Sequence, residues 1–210
     1  MQLFWTPASP FTRKLCVAAR ELDLWDHMDI RPTTWPLDWG YATVAFTPGL
    51  VEANPVARIP TLVTDAGDAL CDSTLALMYL NERAGGGLIP QGEAQWAMWS
   101  MYGIADGIIE AQIGMRAELL RPKNEQSRGY LAKQRERIAR CFDAIETHPD
   151  YLDRALDVAH ITIAVACAYQ SWRDWLSDFR TGRPKLAAWY EQIAQRPSMI
   201  ATEPQDTPER

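Results

Sequence analysis

The hydrophobic pattern at the start of the chain changes from a short run to a helical repeat. An apolar run over residues 2–5 ends at Pro7, which predicts a strand followed by a turn. Ser9 and Pro10 are residue types typical of a helix N-cap and first helical position. Apolar residues then recur every three or four positions, so we expect a helix over residues 10–22.

The next segments alternate between strand-like and helix-like patterns. In chain order, the pattern predicts a strand over residues 28–31, a broken helix over residues 35–54, a strand over residues 59–64, a return strand over residues 69–71, and a helix that begins at Asp72-Ser73. The last two strands form a hairpin because a turn-forming Asp-Ala-Gly-Asp stretch joins them. The order β-α-β-(α)-β-β-α predicts a mixed four-stranded sheet with helices on its faces.

The rest of the chain has almost no strand-like pattern. Residues 84–92 contain four glycines and one proline without periodicity, which indicates a linker. Beyond it the pattern predicts helices over residues 93–120, 126–146, 157–175 and 185–195, and a polar, frayed terminus over the last ten residues. We therefore expect an α/β domain over residues 1–83 and an all-helical domain over residues 93–210.

Composition and charge exclude several classes of protein. The chain has 210 residues, of which 47% are hydrophobic and 23% charged, as in an ordinary globular protein. This excludes a disordered polymer, a collagen-like repeat and a small disulfide scaffold. The formal net charge of −6 repels phosphate backbones, so we do not expect nucleic acid as a partner.

Cysteine and histidine usage gives no sign of a metal site. The four cysteines are widely spaced without a CxxC pair, and the three histidines are scattered, so we expect no metal. The amino terminus lacks a basic stretch followed by an apolar run, and no apolar run reaches the length of a membrane helix. A reducing, cytoplasmic setting without membrane attachment is the resulting expectation.

Ser9 is the first candidate for chemistry. It lies where a strand turns into a helix, beside unpaired backbone N–H groups and the positive end of the helix dipole. Such a position stabilises an anion, including a thiolate. Taken alone, a simple capping role is the more common explanation of a serine at this position.

Two later segments could bind an extended, charged ligand. In Arg58-Ile59-Pro60, a cis bond before the proline would turn the Ile59 backbone outward, although X–Pro bonds are mostly trans and trans is the expectation here. In Asp72-Ser73, the helix N-terminus and the serine hydroxyl could hold a carboxylate. Asp72 could offset an ammonium group or merely cap the helix.

The order of these motifs resembles the glutathione transferase superfamily, specifically its bacterial serine-type members. The matching segments are Ser9-Pro10-Phe11-Thr12-Arg13-Lys14, Asn54-Pro55-Val56-Ala57-Arg58-Ile59-Pro60, Asp72-Ser73, Ala105-Asp106-Gly107-Ile108-Ile109 and Gly182-Arg183-Pro184-Lys185-Leu186-Ala187-Ala188-Trp189-Tyr190. No single segment is specific, but together they cover nearly the whole chain in order.

The resemblance implies a thioredoxin-like amino-terminal domain that binds glutathione. It implies that Ser9 points its hydroxyl at the glutathione sulfur as the catalytic residue. It also implies that glutathione contacts Ser9, Phe11, Arg58, Ile59, Pro60, Asp72 and Ser73. In that scheme the Ile59 backbone pairs with the cysteinyl part beside a cis proline, Asp72-Ser73 holds the γ-glutamyl end, and Arg58 suits the glycine carboxylate.

The chain departs from the family pattern at several positions. Trp5 and Thr6 stand where a tyrosine-type enzyme has tyrosine, and position 9 is not the cysteine of the thiol-exchange branch. Thr6 and Thr12 are alternative hydroxyls for the sulfur contact. In the helical domain, His160 replaces the acidic residue of a Ser/Thr-x-x-Asp box that would begin at position 157.

We therefore expect a glutathione-dependent transferase, acting as a homodimer on a small hydrophobic electrophile. The helical domain would form most of the second-substrate pocket, where we expect Tyr102 and Met115. The alternatives are a non-catalytic glutathione- or ligand-binding protein of the same fold, and a glutathione-dependent peroxidase or thiolysis enzyme.

Overall fold

The chain divides into two compact units. A computed structural model describes residues 1–33 and 47–206. One unit comprises Met1–Pro90 together with the segment that begins at Pro197, and the other comprises Gln91–Arg196. None of the described helices combines the length and the apolar character that crossing a membrane requires.

The first unit is built on a four-stranded mixed sheet. Its elements in chain order are β1 (Gln2–Trp5), α1 (Pro10–Glu21), β2 (Asp29–Pro32), α2 (Leu50–Ala53), β3 (Thr61–Val63), β4 (Ala69–Leu70) and α3 (Ser73–Arg83), with a 3₁₀ turn at Trp25–His27. The strand order is β2-β1-β3-β4. Strand β1 runs parallel to β2 and antiparallel to β3, which pairs antiparallel with β4.

Apolar side chains on the two central strands and on α1 form the core of this unit. Leu3 and Leu62 face each other across β1 and β3, and both are fully buried. Leu15 of α1 and Leu77 of α3 are equally inaccessible, and the two helices pack together. Burying four such side chains contributes several kcal/mol, at about 1.5–3 kcal/mol each.

The predicted mixed sheet and helical second part are confirmed, with small shifts at the boundaries. The strand expected over residues 59–64 begins only at Thr61, because Pro60 has no N–H to continue the ladder. Of the broken helix expected over residues 35–54, only the final part lies within the described residues, as α2.

The second unit is helical. It contains α4 (Ala94–Leu119), α5 (Arg128–Glu146), α6 (Pro149–Leu152), α7 (Val158–Trp172) and α8 (Pro184–Ile193), with a 3₁₀ turn at Lys123–Glu125. Helix α4 packs against both α5 and α7. The first thirteen residues of α7 are all buried, as expected of a helix that is apolar on every side.

The carboxylate of Glu146 caps the start of α8. Glu146, at the end of α5, accepts hydrogen bonds from the backbone N–H groups of Lys185 (3.1 Å) and Leu186 (2.8 Å). These N–H groups have no partner inside α8, and a carboxylate beside them also favours the helix dipole. Arg183 adds a second link, since its Nε donates to Asp143 of α5 at 2.8 Å.

The carboxyl-terminal segment differs from its expected place. Residues 93–210 were expected to form one helical domain with a frayed end, but a short helix, α9 (Pro197–Ile200), groups with the first unit and packs on α1. Ser198 and Met199 of α9 are buried. A four-residue helix leaves no periodic pattern in a sequence, which is why the segment reads as a polar tail.

The start of α7 has an unusual capping arrangement. Asp157 Oδ1 accepts from the N–H groups of Ala159 and His160, and also from His160 Nδ1 at 2.8 Å. His160 Nε2 lies 3.0 Å from the Tyr151 carbonyl oxygen, so both ring nitrogens face acceptors. The buried ring therefore lies between the Asp157 carboxylate, which accepts the Nδ1 hydrogen, and the Tyr151 carbonyl group.

The pKa of Asp157 reflects this pairing. Burial opposes the charged carboxylate, but the hydrogen bond and charge of His160, with a further bond from the Tyr151 hydroxyl at 2.7 Å, lower the pKa of Asp157 below its usual value. A lowered folded-state pKa stabilises the fold above the unfolded pKa. That stabilisation is lost as the pH falls through the folded value.

Replacing this carboxylate tests the pairing. Asp157→Asn keeps a capping oxygen but removes the charge, so it should lower the free energy of unfolding by about 1–3 kcal/mol at neutral pH. The difference from the unchanged protein, measured by urea denaturation, should shrink towards zero below about pH 4. The exposed Asp174→Asn is the control, and an equal loss there would contradict the prediction.

Candidate functional site

The sheet register brings three segments to one edge. Phe4 pairs with Thr61, so one step further along the antiparallel ladder places Pro60 opposite Trp5, where β1 ends. Leu62 pairs with Leu70, and continuing that register past the end of β4 places Asp72 beside Pro60. The turn after β1, the loop before β3 and the start of α3 therefore lie along the same edge.

Ser9 is the N-cap of α1. Its Oγ accepts a hydrogen bond from the Thr12 N–H at 3.2 Å, and its backbone is extended, as an N-cap requires. The simple capping role is therefore present. The side chain is half-buried, and no described residue accepts a hydrogen bond from its hydroxyl. The Ser9 O–H can thus still be donated.

The alternative hydroxyls of this turn lie deeper. Thr12 is 0% exposed and Thr6 is 5% exposed. The Thr12 Oγ1 atom is enclosed, and no described residue forms a hydrogen bond with it. Of the three hydroxyls, Ser9 has the most accessible side chain.

The Ile59–Pro60 peptide bond is cis. The trans bond expected from the general preference of X–Pro bonds is therefore wrong, and the cis form implied by the family resemblance is the one present. The described residues form no hydrogen bond with the N–H or C=O of Ile59. An extended ligand could pair with both groups.

Buried Asn54 shapes the loop before this proline. Its Nδ2 donates to the Arg58 carbonyl oxygen (3.1 Å) and to Thr61 Oγ1 (2.8 Å), and its Oδ1 accepts from the Val56 N–H (2.9 Å). Ala57 adopts the left-handed conformation with φ of 54°. That conformation costs about 1–2 kcal/mol in a residue other than glycine, and the Asn54 bonds offset it.

Asp72 caps α3 with one of its two carboxylate oxygens. Its Oδ1 accepts from the N–H groups of Thr74 (2.8 Å) and Leu75 (3.2 Å), so the capping role is again present. Among the described residues, none donates a hydrogen bond to its second oxygen, Oδ2. Ser73 follows as the first residue of α3, mostly buried, and its hydroxyl has no partner within the described chain.

Two further predicted contacts lie along the same loop and helix. The Arg58 side chain is exposed, and no carboxylate of the described residues pairs with it. Phe11, in the first turn of α1, is half-buried, with the Lys14 ammonium 5.3 Å from its ring centroid. Arg58 thus adds a positive charge to an edge that already has two helix N-termini.

Tyr102 and Met115 lie on α4 in the other unit. Tyr102 is 5% exposed and its ring meets Trp99 edge-to-face at 5.3 Å, whereas Met115 is 0% exposed. Both belong to the packed interior of the helical unit. Their assignment to a second-substrate pocket stays a prediction.

The comparison with known proteins identifies the family of this chain. Residues 8–83 match the model of the glutathione S-transferase amino-terminal domain. A glutathione transferase family member from Pseudomonas fluorescens Pf-5, solved with bound glutathione, is 34% identical, with 98% of this chain and 99% of that chain covered and a TM-score of 0.89. The chain belongs to the glutathione transferase family.

One further structure and one further relative cover nearly the whole of this chain. A second structure of the same Pseudomonas protein, with bound S-(propanoic acid)-glutathione, is also 34% identical over 98% of this chain and 100% of that chain, with a TM-score of 0.84. The GST-like protein YibF of Escherichia coli (strain K12) is 29% identical over 97% of this chain and 98% of its own.

Sequence reasoning missed Asn54 as a residue of the site. Asn54 belongs to one of the segments that resemble the family. Its position in the sequence does not show that its amide nitrogen would donate to groups four and seven residues further along the chain. Its complete burial and three hydrogen bonds identify its role only in the folded chain. Within the described residues, no group of three or more His, Cys, Asp or Glu could hold a metal ion.

Proposed function

We propose that this family member is a glutathione-dependent transferase in which Ser9 stabilises the glutathione thiolate. The observation that carries the proposal is the state of the Ser9 hydroxyl: the Thr12 N–H fixes its oxygen, while its own hydrogen has no acceptor among the described residues. A sulfur anion at the α1 N-terminus would accept that hydrogen. The glutathione bound to the Pseudomonas relative supports the choice of ligand.

The energetics of thiolate formation suit this arrangement. A thiol titrates near about 8.5, so only a few per cent is ionised at neutral pH. Lowering the pKa of glutathione by about two units needs roughly 2.7 kcal/mol. A hydrogen bond to an anion contributes about 1.5–3 kcal/mol and a helix N-terminus about 0.3–1 kcal/mol. Together the two effects reach the required amount.

The chemical step follows from a formed thiolate. The sulfur electron pair attacks an electrophilic carbon of the second substrate, a carbon–sulfur bond forms, and a leaving group departs with its electron pair or an adjacent atom takes up the charge. Ser9 acts here as a hydrogen-bond donor and never bonds covalently. We propose a small hydrophobic electrophile as the second substrate and keep Tyr102 and Met115 as its predicted contacts.

The remaining edge residues would hold the two ends of the tripeptide. The Ser73 hydroxyl and the α3 N-terminus suit the γ-glutamyl carboxylate, and Asp72 Oδ2 suits the ammonium. The N–H and C=O of Ile59, which form no hydrogen bond with the described residues, suit the cysteinyl backbone beside Pro60. The exposed Arg58 guanidinium suits the glycine carboxylate.

Ser9 variants test the catalytic role. Ser9→Ala should keep glutathione affinity within about tenfold but remove most of the thiolate absorption of bound glutathione and most turnover. Losing the hydrogen bond raises the thiol pKa by up to about two units, which lowers the ionised fraction at pH 7 by up to about 25-fold. Ser9→Asp retains a capping oxygen but repels the thiolate, so it should lose turnover without losing helix stability. Both are measured by ultraviolet titration and by assay with a panel of electrophiles.

The control for the hydroxyl is Thr12→Val, which removes the neighbouring buried oxygen at nearly constant volume. It should leave the thiolate absorption in place. Intact turnover in Ser9→Ala across the panel would overturn the role of Ser9, and loss in Thr12→Val alone would move it to Thr12.

Ser73 tests the binding of the γ-glutamyl end. Ser73→Ala should weaken glutathione binding by about 1–2 kcal/mol, roughly five- to thirtyfold, because the carboxylate loses one donor. The exposed Ser100→Ala on α4 is the matched control and should leave affinity unchanged. Calorimetric titration with glutathione and its S-hexyl analogue measures both, and unaltered affinity in Ser73→Ala would discard the assignment.

We also propose that the chain forms a homodimer in the cytoplasm. Leu75 and Met78 lie three residues apart on one face of α3 and are 52% and 45% exposed, an apolar pair that a second copy would cover. The four cysteines form no disulfide, which suits a reducing compartment.

A charge on this face tests the dimer. Leu75→Glu should shift the protein towards the monomer in light scattering after size exclusion, because a buried unpaired carboxylate opposes association. Leu120→Glu places the same charge at an exposed apolar position of the helical unit and should leave the mass unchanged. A dimer in both variants would reject this face as the interface.

A further inference from the structure

The carboxyl-terminal segment is held by both ends of α1. Residues 198–202, which we call the C-terminal clasp, comprise most of α9 and the turn after it. Ser198 and Met199 of the clasp are buried, although the segment follows a polar and exposed stretch. Two charged side chains of α1, Arg13 and Glu21, form the polar contacts with it.

Arg13 binds the carboxyl end of α9. Its side chain is mostly buried, with Nη2 donating to the Met199 carbonyl oxygen at 3.1 Å and Nε to Thr202 Oγ1 at 3.4 Å. Thr202 Oγ1 in turn donates to the Ser198 carbonyl oxygen at 2.8 Å. The guanidinium thus satisfies the Met199 carbonyl group directly and supports the Thr202 hydroxyl, at a helix end where a positive charge is favoured.

Glu21 binds the other end of the clasp. It accepts a hydrogen bond from the Ser198 hydroxyl. Arg13 and Glu21 are eight residues apart, which corresponds to about 12 Å along a helix. The two contacts therefore fix α1 at separate points, and only Arg13 lies in the first turns, next to the N-cap.

The backbone connects Arg13 directly to the proposed catalytic residue. The Arg13 N–H donates to the Ser9 carbonyl oxygen at 2.9 Å, so the same residue joins the N-cap through its backbone and the clasp through its side chain. A displacement of Arg13 would move the Ser9 carbonyl and, with it, the Thr12 N–H that orients the Ser9 oxygen.

We propose that Arg13 is a positioning residue for Ser9, acting by anchoring the first turn of α1 to the C-terminal clasp. This inference rests on the proposed function only in its catalytic consequence. The structural part, that the clasp fixes the N-cap geometry, can be measured without glutathione. Glu21 anchors the same clasp without reaching the N-cap, so it separates positioning from general stabilisation.

The test compares Arg13→Met with Glu21→Met in the full-length protein. Arg13→Met removes two hydrogen bonds to the clasp and Glu21→Met removes one, and both variants keep an unbranched side chain. In Arg13→Met, hydrogen exchange of the Thr12 amide should accelerate by about tenfold or more, because its bond to Ser9 Oγ loosens. In Glu21→Met, the same amide should change by less than about threefold.

The catalytic readout is the pH dependence of thiolate formation and turnover. Arg13→Met should reduce the thiolate fraction of bound glutathione by about five- to tenfold near neutral pH, and lower kcat more than it raises KM. The deficit should vanish above about pH 9, where the thiol ionises without help. Glu21→Met should keep the pH profile of the unchanged protein.

The outcomes separate the two proposals. Equal Thr12 exchange or equal pH profiles in the two variants would overturn the positioning role and leave only a stabilising clasp. If the unchanged protein forms no glutathione thiolate, the proposed function fails, while faster Thr12 exchange in Arg13→Met alone would still support the clasp as the anchor of the N-cap.

Discussion

The site depends on the antiparallel register of β1, β3 and β4. This register is set in the interior of the sheet, where the buried pair Leu3 and Leu62 fixes which residues face each other. A slip of one residue would turn every apolar side chain of a strand to the opposite face. It would also move Pro60 away from the end of β1. The hydrophobic core therefore determines which polar groups meet at the edge.

The edge can attract an anion although the whole chain is acidic. The formal net charge is −6, but charges beyond about 8 Å are largely screened in physiological salt. The edge has the N-terminal N–H groups of α1 and α3, Arg58 on the adjacent loop and the Asp72 carboxylate. The field at the edge is therefore set by these local groups, with positive and negative charge at separate points. Net charge argued against nucleic acid as a partner but carried no information about a small anionic ligand.

Much of the fold could be predicted because local pattern and packing agree. The run over residues 2–5 and the Ser9-Pro10 start of α1 both appear where they were expected. Helix α9 could not be predicted, because four residues have no period and their burial depends on Arg13 and Glu21, far away in sequence. The same holds for Asn54, whose amide acts only once the loop and β3 have come together.

The identity of the candidate site residues could be predicted from the sequence, but the hydrogen bonds that they form could not. Ser9 and Asp72 read as possible caps or as possible ligand groups, and the pattern left both interpretations open. The structure shows that each of them does cap its helix. The sequence could not show which hydrogen-bonding positions each side chain still has available, because that depends on every neighbour in three dimensions.

Three helix caps differ in the number of hydrogen-bonding positions that they leave available to a ligand. Asp157 uses both oxygens, towards two backbone N–H groups, His160 and the Tyr151 hydroxyl, so nothing is left for a ligand. Ser9 uses its oxygen but keeps its hydrogen, and Asp72 keeps Oδ2. A buried cap with every bond satisfied stabilises the fold. A partly exposed cap with a hydrogen-bonding position left over, at an edge where other such positions converge, stabilises its helix and can also bind a ligand in exchange for water.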